Sequence, residues 1–397
     1  MNAALWPALP YPAWRETAAT LQLWTQIVGK VRLTLTPWAN HGWQVPLYVT
    51  ARGLGTSPIP VGGEILELEF DFIGHRLAAR TSRGEERTLA LEPQTVADFH
   101  RALMEVLGGL GIAVAIREMP NEVANPIRFS QDRVHAAYDA AAAHRFWRAL
   151  VQADRILKLF RTGFLGKVSP VHFFWGSFDL AVTRFSARPG PPHPGGVPGL
   201  PDAVTREAYS HEVSSAGFWP GNDAFPHAAF YAYAYPEPAG FRDRTVTPGA
   251  RFEPALGEFI LPYETVRAAP DPDLKYSTTI PAVASSIATG NRRATTLIDV
   301  FAGSVGGGST SMSPTSNGGG ASLDDRMSSI VEEDAPRCRL VPSRREKYCC
   351  AITPSNPVRL SGCPSVGLRF RSKAASTPTR STSRCPRTHR CARCYPP

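Results

Sequence analysis

The sequence predicts an α+β fold in which antiparallel β-sheets from both halves of the chain pack with one long helix. Short stretches of alternating apolar and polar residues, separated by tight turns, fill the first half. A helical apolar pattern follows over about residues 130–162, and further strand patterns come after it. Short turns favour antiparallel strands because parallel pairs need long crossover connections.

The first half is predicted to contain a helix, a five-stranded antiparallel sheet and a second helix. Leu21 and Trp24 belong to an apolar stripe at helical spacing. The alternating residues 30–36 predict that a strand follows this helix directly. Pro93 suits the first position of the second helix. The other four strands are predicted at 43–53, 64–72, 75–82 and 87–92, and a further short strand at 112–118.

The second half begins with the long helix and returns to strands. Ser130 is a good N-cap for this helix, and Gly163 is a suitable end. Residues 187–202 are too rich in Pro and Gly for regular structure and predict a loop or lid. The natural division between the two halves lies at residues 118–130. The sequence leaves open whether the halves form one domain or two. The strands are predicted at 171–185, 208–215, 227–235 and 258–264.

The net charge of +9 and all seven cysteines belong to the C-terminal part of the chain. Residues 276–397 hold 17 Lys and Arg against 7 Asp and Glu, and their low complexity predicts disorder. Residues 1–275 are therefore predicted to be a near-neutral globular domain that does not bind nucleic acid. Their lack of cysteine excludes a disulfide framework or a thiol nucleophile. With neither a signal peptide nor a membrane-length apolar run in the sequence, we expect a cytoplasmic protein.

The richest group of chemically active residues lies on three of the predicted strands, 171–185, 208–215 and 227–235. We expect these strands to form a pocket with aromatic walls and a few polar groups. A bulge at Gly176 would bring His172 to the face that carries the other polar residues of its strand. His211 is our choice for acid–base work because histidine titrates near neutrality. The catalytic candidates are His172, Ser177, Asp179, His211 and Glu212, and the ligand-binding candidates are Trp175, Trp219, Tyr231 and Tyr233.

Two more specific kinds of site have weak support in the sequence. His172, Asp179, His211, Glu212 and His227 match no known metal-ligand spacing, so no metal ligands are predicted. A Ser-His-Asp arrangement built from Ser177, His211 or His227, and Asp179 lacks the G-x-S-x-G elbow of serine hydrolases.

Three classes of function therefore stay open. They are a small-molecule enzyme, a non-catalytic binding module, and a scaffold that uses exposed Tyr and Trp surfaces. The sequence identifies no cofactor and no oligomeric state, and it does not decide whether the protein is an enzyme.

Several long motifs resemble those of the bacterial domain-of-unknown-function family 5996. They are WRETAATLQLWTQIVGKVRL, HFFWGSFDLAVTRFSARPGPPHPGG, EAYSHEVSSAGFWPGN and FILPYETVRAAPDPD, and the similarity covers about residues 10–273. The resemblance implies a soluble domain and implies no activity. Family members look as if they continue with an Ala/Leu-rich helix, whereas this chain becomes rich in Arg, Ser, Pro and Cys. We interpret this change as a frameshift, or a mis-called gene end, near residues 273–285.

Overall fold

The structure is a computed structural model that describes residues 5–279. The predicted disorder and the frameshift interpretation concern residues that lie almost entirely outside this range. No helix within the described range is long and apolar enough to cross a bilayer.

Residues 5–279 form two six-stranded sheets and six α-helices, so the predicted α+β class is confirmed. The helices are α1 (Arg15–Leu35), α2 (Val96–Gly109), α3 (Ala140–Thr162), α4 (Asp202–Ala208), α5 (Tyr263–Arg267) and α6 (Pro272–Ser277). The first sheet comprises β1 (Tyr48–Val49), β2 (Gly53–Gly55), β3 (Ile59–Val61), β4 (Glu64–Asp71), β5 (Arg76–Thr81) and β6 (Glu86–Ala90). The second comprises β7 (His172–Phe174), β8 (Asp179–Pro189), β9 (His211–Trp219), β10 (Ala229–Tyr235), β11 (Arg251–Glu253) and β12 (Glu258–Pro262).

Both sheets are antiparallel throughout. The first has the order β1-β2-β4-β5-β6, with β3 paired to β4, and the second has the order β11-β12-β10-β9-β8-β7. In β4 the predicted alternation is observed, since Leu66 and Leu68 are buried while Glu67 is exposed. Short connections between neighbouring strands, such as the turn between β5 and β6, account for the antiparallel pairing.

Two strands predicted in the first half are absent. Residues 30–35 continue α1 instead of forming a strand, and Thr34 Oγ1 donates to the carbonyl of Lys30, one helical turn earlier. The apolar stripe of α1 extends to Val31, which is fully buried, so the helical period prevails over the local alternation. Residues 112–118 form no strand either.

The helices α2 and α3 begin later than predicted, because side-chain caps define their first turns. Thr95 accepts a hydrogen bond from the amide of Asp98, so α2 begins after Thr95 and not at Pro93. Asp139 caps α3 in the same way by accepting from the amide of Ala142 at 3.1 Å. Ser130 lies instead in a 3₁₀ turn, while the predicted end of the long helix at Gly163 is confirmed.

The predicted strand 171–185 is a hairpin. Strands β7 and β8 pair antiparallel with His172 opposite Ala181, and the turn between them consists of residues 175–178. Gly176 is therefore part of a turn and not a bulge in one continuous strand. Residues 208–210 precede β9, and the strands predicted at 227–235 and 258–264 are observed with shorter bounds.

The second sheet has two different faces. Its inner face carries Leu180, Val182, Phe218 and Phe230, which belong to the main hydrophobic core together with α3. We call the opposite side the outer face. It carries several polar side chains in register on β8, β9 and β10, among them Thr183, Ser215 and Tyr233.

The turn between β7 and β8 is held against the middle of α1. The indole of Trp175 lies on the helix at Gly29, where an added Cβ would overlap the ring. The indole Nε1 donates to the carbonyl of Val45 at 2.8 Å, and Gln22 Nε2 donates to the carbonyl of Gly176 at 2.7 Å. Helix α1 thus fixes the position at which β8 begins.

We expect Gly29→Ala to lower the free energy of unfolding by about 1–3 kcal/mol, because the new methyl group would displace the Trp175 indole. Replacing Gly by Ala within a helix usually raises the free energy of unfolding, because Ala is favoured over Gly there by about 0.5–1 kcal/mol. Urea unfolding followed by circular dichroism measures the difference.

Gly108→Ala is the matched control in α2, where an added Cβ meets nothing within 4 Å. This variant should be as stable as the parent protein or more stable. Equal stability changes in the two variants would contradict the close contact between Gly29 and Trp175.

Candidate functional site

Asp179 is a buried carboxylate at the first position of β8, and only 7% of its surface is exposed. Ser177, in the preceding turn, donates its hydroxyl to Asp179 Oδ1 at 2.6 Å. The Tyr231 hydroxyl donates to Asp179 Oδ2. Burial raises the pKa of the Asp179 carboxyl, and these two hydrogen bonds act in the opposite direction.

The absence of a side chain at Gly217 allows Tyr231 to reach Asp179. Gly217 lies between Ala181 of β8 and Tyr231 of β10 in the sheet register. An added Cβ at this glycine would overlap the Tyr231 hydroxyl. The phenol therefore crosses one strand to contact a carboxylate on the next.

Two further carboxylates share the electrostatic environment of Asp179. Burial, followed by the charge of Asp179, raises the pKa of Glu122 to about 7. The same two causes, in the same order, raise the pKa of Glu258 to about 8. Among residues 5–279, no Lys, Arg or His forms an ion pair with any of these three carboxylates.

Three tyrosines complete this group. The hydroxyls of Tyr209 and Tyr233 are hydrogen-bonded at 2.9 Å, and the rings of Tyr231 and Tyr233 stack with centroids 6.2 Å apart. Burial is the largest cause of the raised pKa of each tyrosine, and nearby carboxylates raise each pKa further. We call the whole group the carboxylate–tyrosine cluster. It consists of Glu122, Asp179, Glu258, Tyr209, Tyr231 and Tyr233.

Helix α1 also holds the segment that carries Glu122. Gln26 exchanges two hydrogen bonds of 2.8 Å with the backbone of Asn121. Lys30 Nζ, which is buried, donates to the carbonyl of Met119 and to Asn121 Oδ1, both at 2.7 Å. The Glu122 carboxylate lies against Gly176, where an added Cβ would overlap Oε1. One face of α1 therefore positions both Glu122 and the turn before Asp179.

The Pro/Gly-rich segment 190–201 runs beside the cluster. Asn121 Nδ2 donates to the carbonyl of Gly199 at 2.9 Å, and the Tyr235 hydroxyl donates to the carbonyl of Pro191 at 3.0 Å. The His193 ring stacks on Tyr209 with centroids 5.0 Å apart. The predicted loop thus contacts residues on either side of the carboxylates.

The structure brings together four of the residues predicted from the sequence. Ser177, Asp179, Tyr231 and Tyr233 lie in or next to the cluster, and Ser177 is exposed to solvent. Trp175 anchors the turn on α1 with its indole.

The other predicted residues lie outside the cluster. Trp219 stacks on Phe225 at 5.7 Å and packs beside the apolar part of Tyr231. His211 contacts Ser210 and the ring of His41. Glu212 is ion-paired with Arg188 and accepts a hydrogen bond from Ser186.

His172 faces a different environment from Asp179. Its ring is 1% exposed and contacts the rings of Trp43, Tyr48 and Phe174. Burial, and then the charges of Arg32 and Arg161, lower the pKa of His172 to about 3, so the imidazole is neutral. The Ser177 hydroxyl is hydrogen-bonded to Asp179, whereas His211 is hydrogen-bonded to Ser210, so Ser177, His211 and Asp179 do not form a serine–histidine–aspartate chain.

The described residues contain no group of three His, Cys, Asp or Glu side chains arranged to hold a metal ion. Sequence reasoning missed Glu122, Tyr209 and Glu258. Glu258 had a detectable signal, since it alternates with the apolar Phe259 and Leu261 on the inner face. Glu122 lies in an irregular segment without any periodic pattern.

We expect the free energy of unfolding to fall as pH rises from about 4.5 to above 8. Folding raises the pKa of Glu122 and Glu258, so the folded protein holds protons that the unfolded chain releases. This contribution to stability is complete below the unfolded pKa and is lost as pH rises through the folded pKa. The double variant E122Q/E258Q should be more stable than the parent at pH 8.5, by about 1–3 kcal/mol.

Urea unfolding of both proteins at several pH values between 5 and 9 measures this effect. The control is E92Q, which changes an exposed glutamate. If the free energy of unfolding of the double variant changes with pH as steeply as that of E92Q, Glu122 and Glu258 do not cause the pH dependence.

The comparisons with known proteins agree with the resemblance seen in the sequence. The sequence model of the family of unknown function DUF5996 matches residues 6–283. The search of curated proteins and that of solved structures gave no match.

Proposed function

The chain belongs to DUF5996, a family of unknown function, and we propose from its own geometry that the carboxylate–tyrosine cluster binds a small organic cation. The ligand would be an amine or quaternary ammonium compound that enters between the outer face and segment 190–201. The proposed function is thus small-molecule binding, as the sequence suggested; Asp179, Tyr231 and Tyr233 were predicted, and Glu122, Glu258 and Tyr209 are added to them.

The observation that carries this proposal is the lack of a positive partner for three neighbouring buried or half-buried carboxylates. Taking a carboxylate out of water is costly unless a cation or several hydrogen bonds compensate for it. Asp179 has two hydroxyl donors, whereas burial and the charge of Asp179 alone account for the raised pKa of Glu122 and Glu258. A bound cation would favour the ionised form of all three.

The aromatic side chains support a cationic ligand independently of the charges. Tyr209, Tyr231 and Tyr233 lie beside the carboxylates, and His193 and Tyr235 extend the aromatic surface with their rings 5.2 Å apart. Electron-rich ring faces attract ammonium groups, and recognition of quaternary ammonium ligands commonly uses several such rings.

Proton transfer on the bound ligand is a second candidate function, favoured by the pKa of Glu122 at about 7. A carboxyl group with that pKa can both accept and donate a proton near neutral pH. The exposed Ser177 hydroxyl, held by Asp179, would lie at the entrance. An enzymatic role would then use Glu122 in place of the predicted His211.

A scaffold role based on exposed tyrosines has less support. Tyr231 is 8% exposed and Tyr233 is half-buried, so these rings do not form a flat accessible patch. We also retain cytoplasmic location as part of the proposal, supported by the absence of cysteine from residues 1–337.

Thermal unfolding with added tetramethylammonium chloride tests the proposed function. We expect a rise in Tm of about 2–5 °C near saturation, relative to sodium chloride at equal ionic strength. The rise should be larger at pH 8.5 than at pH 5.5, because the ionised carboxylates bind the cation. Propylammonium chloride provides a primary amine for comparison.

D179N should lose most of this rise, since the amide retains the shape of the carboxyl group without its charge. E92Q is again the control and should keep the full rise. Cation binding at the cluster would be contradicted if sodium chloride and both ammonium salts changed the Tm equally. It would also be contradicted if D179N kept the full rise in Tm.

A further inference from the structure

The carboxylate–tyrosine cluster is closed to solvent at its centre. Asp179 and Tyr231 are both buried, so a ligand reaches the Asp179 carboxylate only if a covering element moves aside. Segment 190–201 lies against two other members of the cluster, Tyr209 and Glu122, and forms neither helix nor strand. It joins the end of β8 to the start of α4. This segment is therefore the element whose movement would admit a ligand.

The two ends of segment 190–201 are attached to opposite sides of the cluster. At the first end, the Tyr235 hydroxyl donates to the carbonyl of Pro191 at 3.0 Å. At the second end, Asn121 Nδ2 donates to the carbonyl of Gly199 at 2.9 Å. An added Cβ at Gly199 would overlap the amide nitrogen of Glu122. The backbone of the segment thus lies directly on the chain that carries this carboxylate.

The His193 ring holds the middle of the segment against the protein. It stacks on Tyr209 with centroids 5.0 Å apart and lies 5.2 Å from the Tyr235 ring. The two tyrosine rings are themselves 5.0 Å apart, and His193 is half-buried against them. Stacked aromatic pairs of this kind stabilise a contact beyond the area that they bury.

A tight turn follows His193. Gly195 and Gly196 have φ values of 81° and 76°, a left-handed conformation that glycine adopts without strain. The amide of Gly195 donates to His193 Nδ1 at 3.0 Å, and the amide of Gly196 donates to Asp202 Oδ1 at 2.8 Å, where α4 begins. Arg206, an exposed side chain of α4, makes a long hydrogen bond of 3.4 Å to the carbonyl of His193. The turn thus fixes the orientation of the His193 ring relative to the segment.

We propose that segment 190–201 is a lid over the carboxylate–tyrosine cluster and that the His193 ring is the latch that holds it closed. In the open state the ring leaves Tyr209 and Tyr235, and a ligand enters past the two tyrosines. In the closed state the lid excludes water from the carboxylates, which strengthens their attraction for a bound cation. The latch is a property of the free protein, whereas its role in ligand entry rests on the proposed function.

The composition of the segment suits such a movement. Pro191, Pro192 and Pro194 restrict the backbone on both sides of His193. Opening is therefore concentrated at the glycines of the following turn, which have many accessible backbone conformations. Because few residues change conformation, the contact between His193 and the tyrosines controls the equilibrium between the closed and open states.

Hydrogen–deuterium exchange of the ligand-free protein tests the latch. The amides of residues 195–200 exchange when the lid opens. We expect H193A to increase their exchange rates by about 3–10-fold after correction for intrinsic rates, because stacking on the tyrosines no longer favours the closed state. H193F retains an aromatic ring at this position, so its amides should exchange as slowly as those of the parent protein.

The matched control is H227A, which removes an exposed histidine that contacts the Phe225 ring outside the lid. Its amides at 195–200 should exchange at the rates of the parent protein. The latch is overturned if H193A exchanges no faster than the parent, or if H227A increases the exchange rates as much as H193A does.

Tetramethylammonium chloride then links the lid to the proposed site. In the parent protein it should slow the exchange of residues 195–200 by about 3-fold or more, relative to sodium chloride at equal ionic strength, and D179N should lose this protection. A rise in Tm without slower exchange would overturn the lid and leave the proposed function intact. If the Tm does not rise, the proposed function fails, and the ligand-free comparison of H193A with H227A still decides whether His193 holds the segment closed.

Discussion

The contact between Gly29 and Trp175 is the constraint on which the arrangement of the site depends. It brings a rigid helix directly against the turn that precedes β8, with no side chain between the helix backbone and the indole. Gln22, Gln26 and Lys30 then follow at intervals of four residues on one face of the same helix. Because each bonds to the turn or to segment 119–121, the separation of Glu122 and Asp179 is set by helix geometry.

The carboxylate–tyrosine cluster illustrates an electrostatic principle. Proteins usually compensate a buried charge with a nearby charge or with a full set of hydrogen bonds. Among the residues that the structure describes, the three carboxylates of the cluster have no ion-pair partner. Uncompensated groups of this kind are uncommon in folded proteins, which is why they are informative about ligands.

The sequence predicted the fold class and most strands, because alternation with period two is strong in segments such as β4 and β10. The prediction from the sequence was wrong where a short alternating pattern, typical of a strand, lies within a longer pattern of helical period. Residues 30–36 alternate like a strand, yet the buried stripe that includes Trp24 continues through them as a helix. The start of α3 was misplaced because both Ser130 and Asp139 are good caps, and only packing decides between them.

The site was predictable only in part, for a related reason. Asp179 and Tyr231 stand out because polar residues interrupt apolar strands. Their contact depends on the missing side chain at Gly217, which a sequence pattern does not reveal. Glu122 lies more than 50 residues from Asp179 in an irregular segment, so only the three-dimensional structure brings it to the turn.

The proline content of segment 190–201 has a thermodynamic consequence for any ligand beneath it. Five prolines restrict its backbone and remove amide donors that could join it to the sheet as another strand. The prolines reduce the number of conformations that the segment loses when it is ordered over a bound molecule, although its four glycines add to that number. The entropy cost of ordering this segment over a ligand is therefore lower than for a proline-free loop of the same length. The five residues are Pro191, Pro192, Pro194, Pro198 and Pro201.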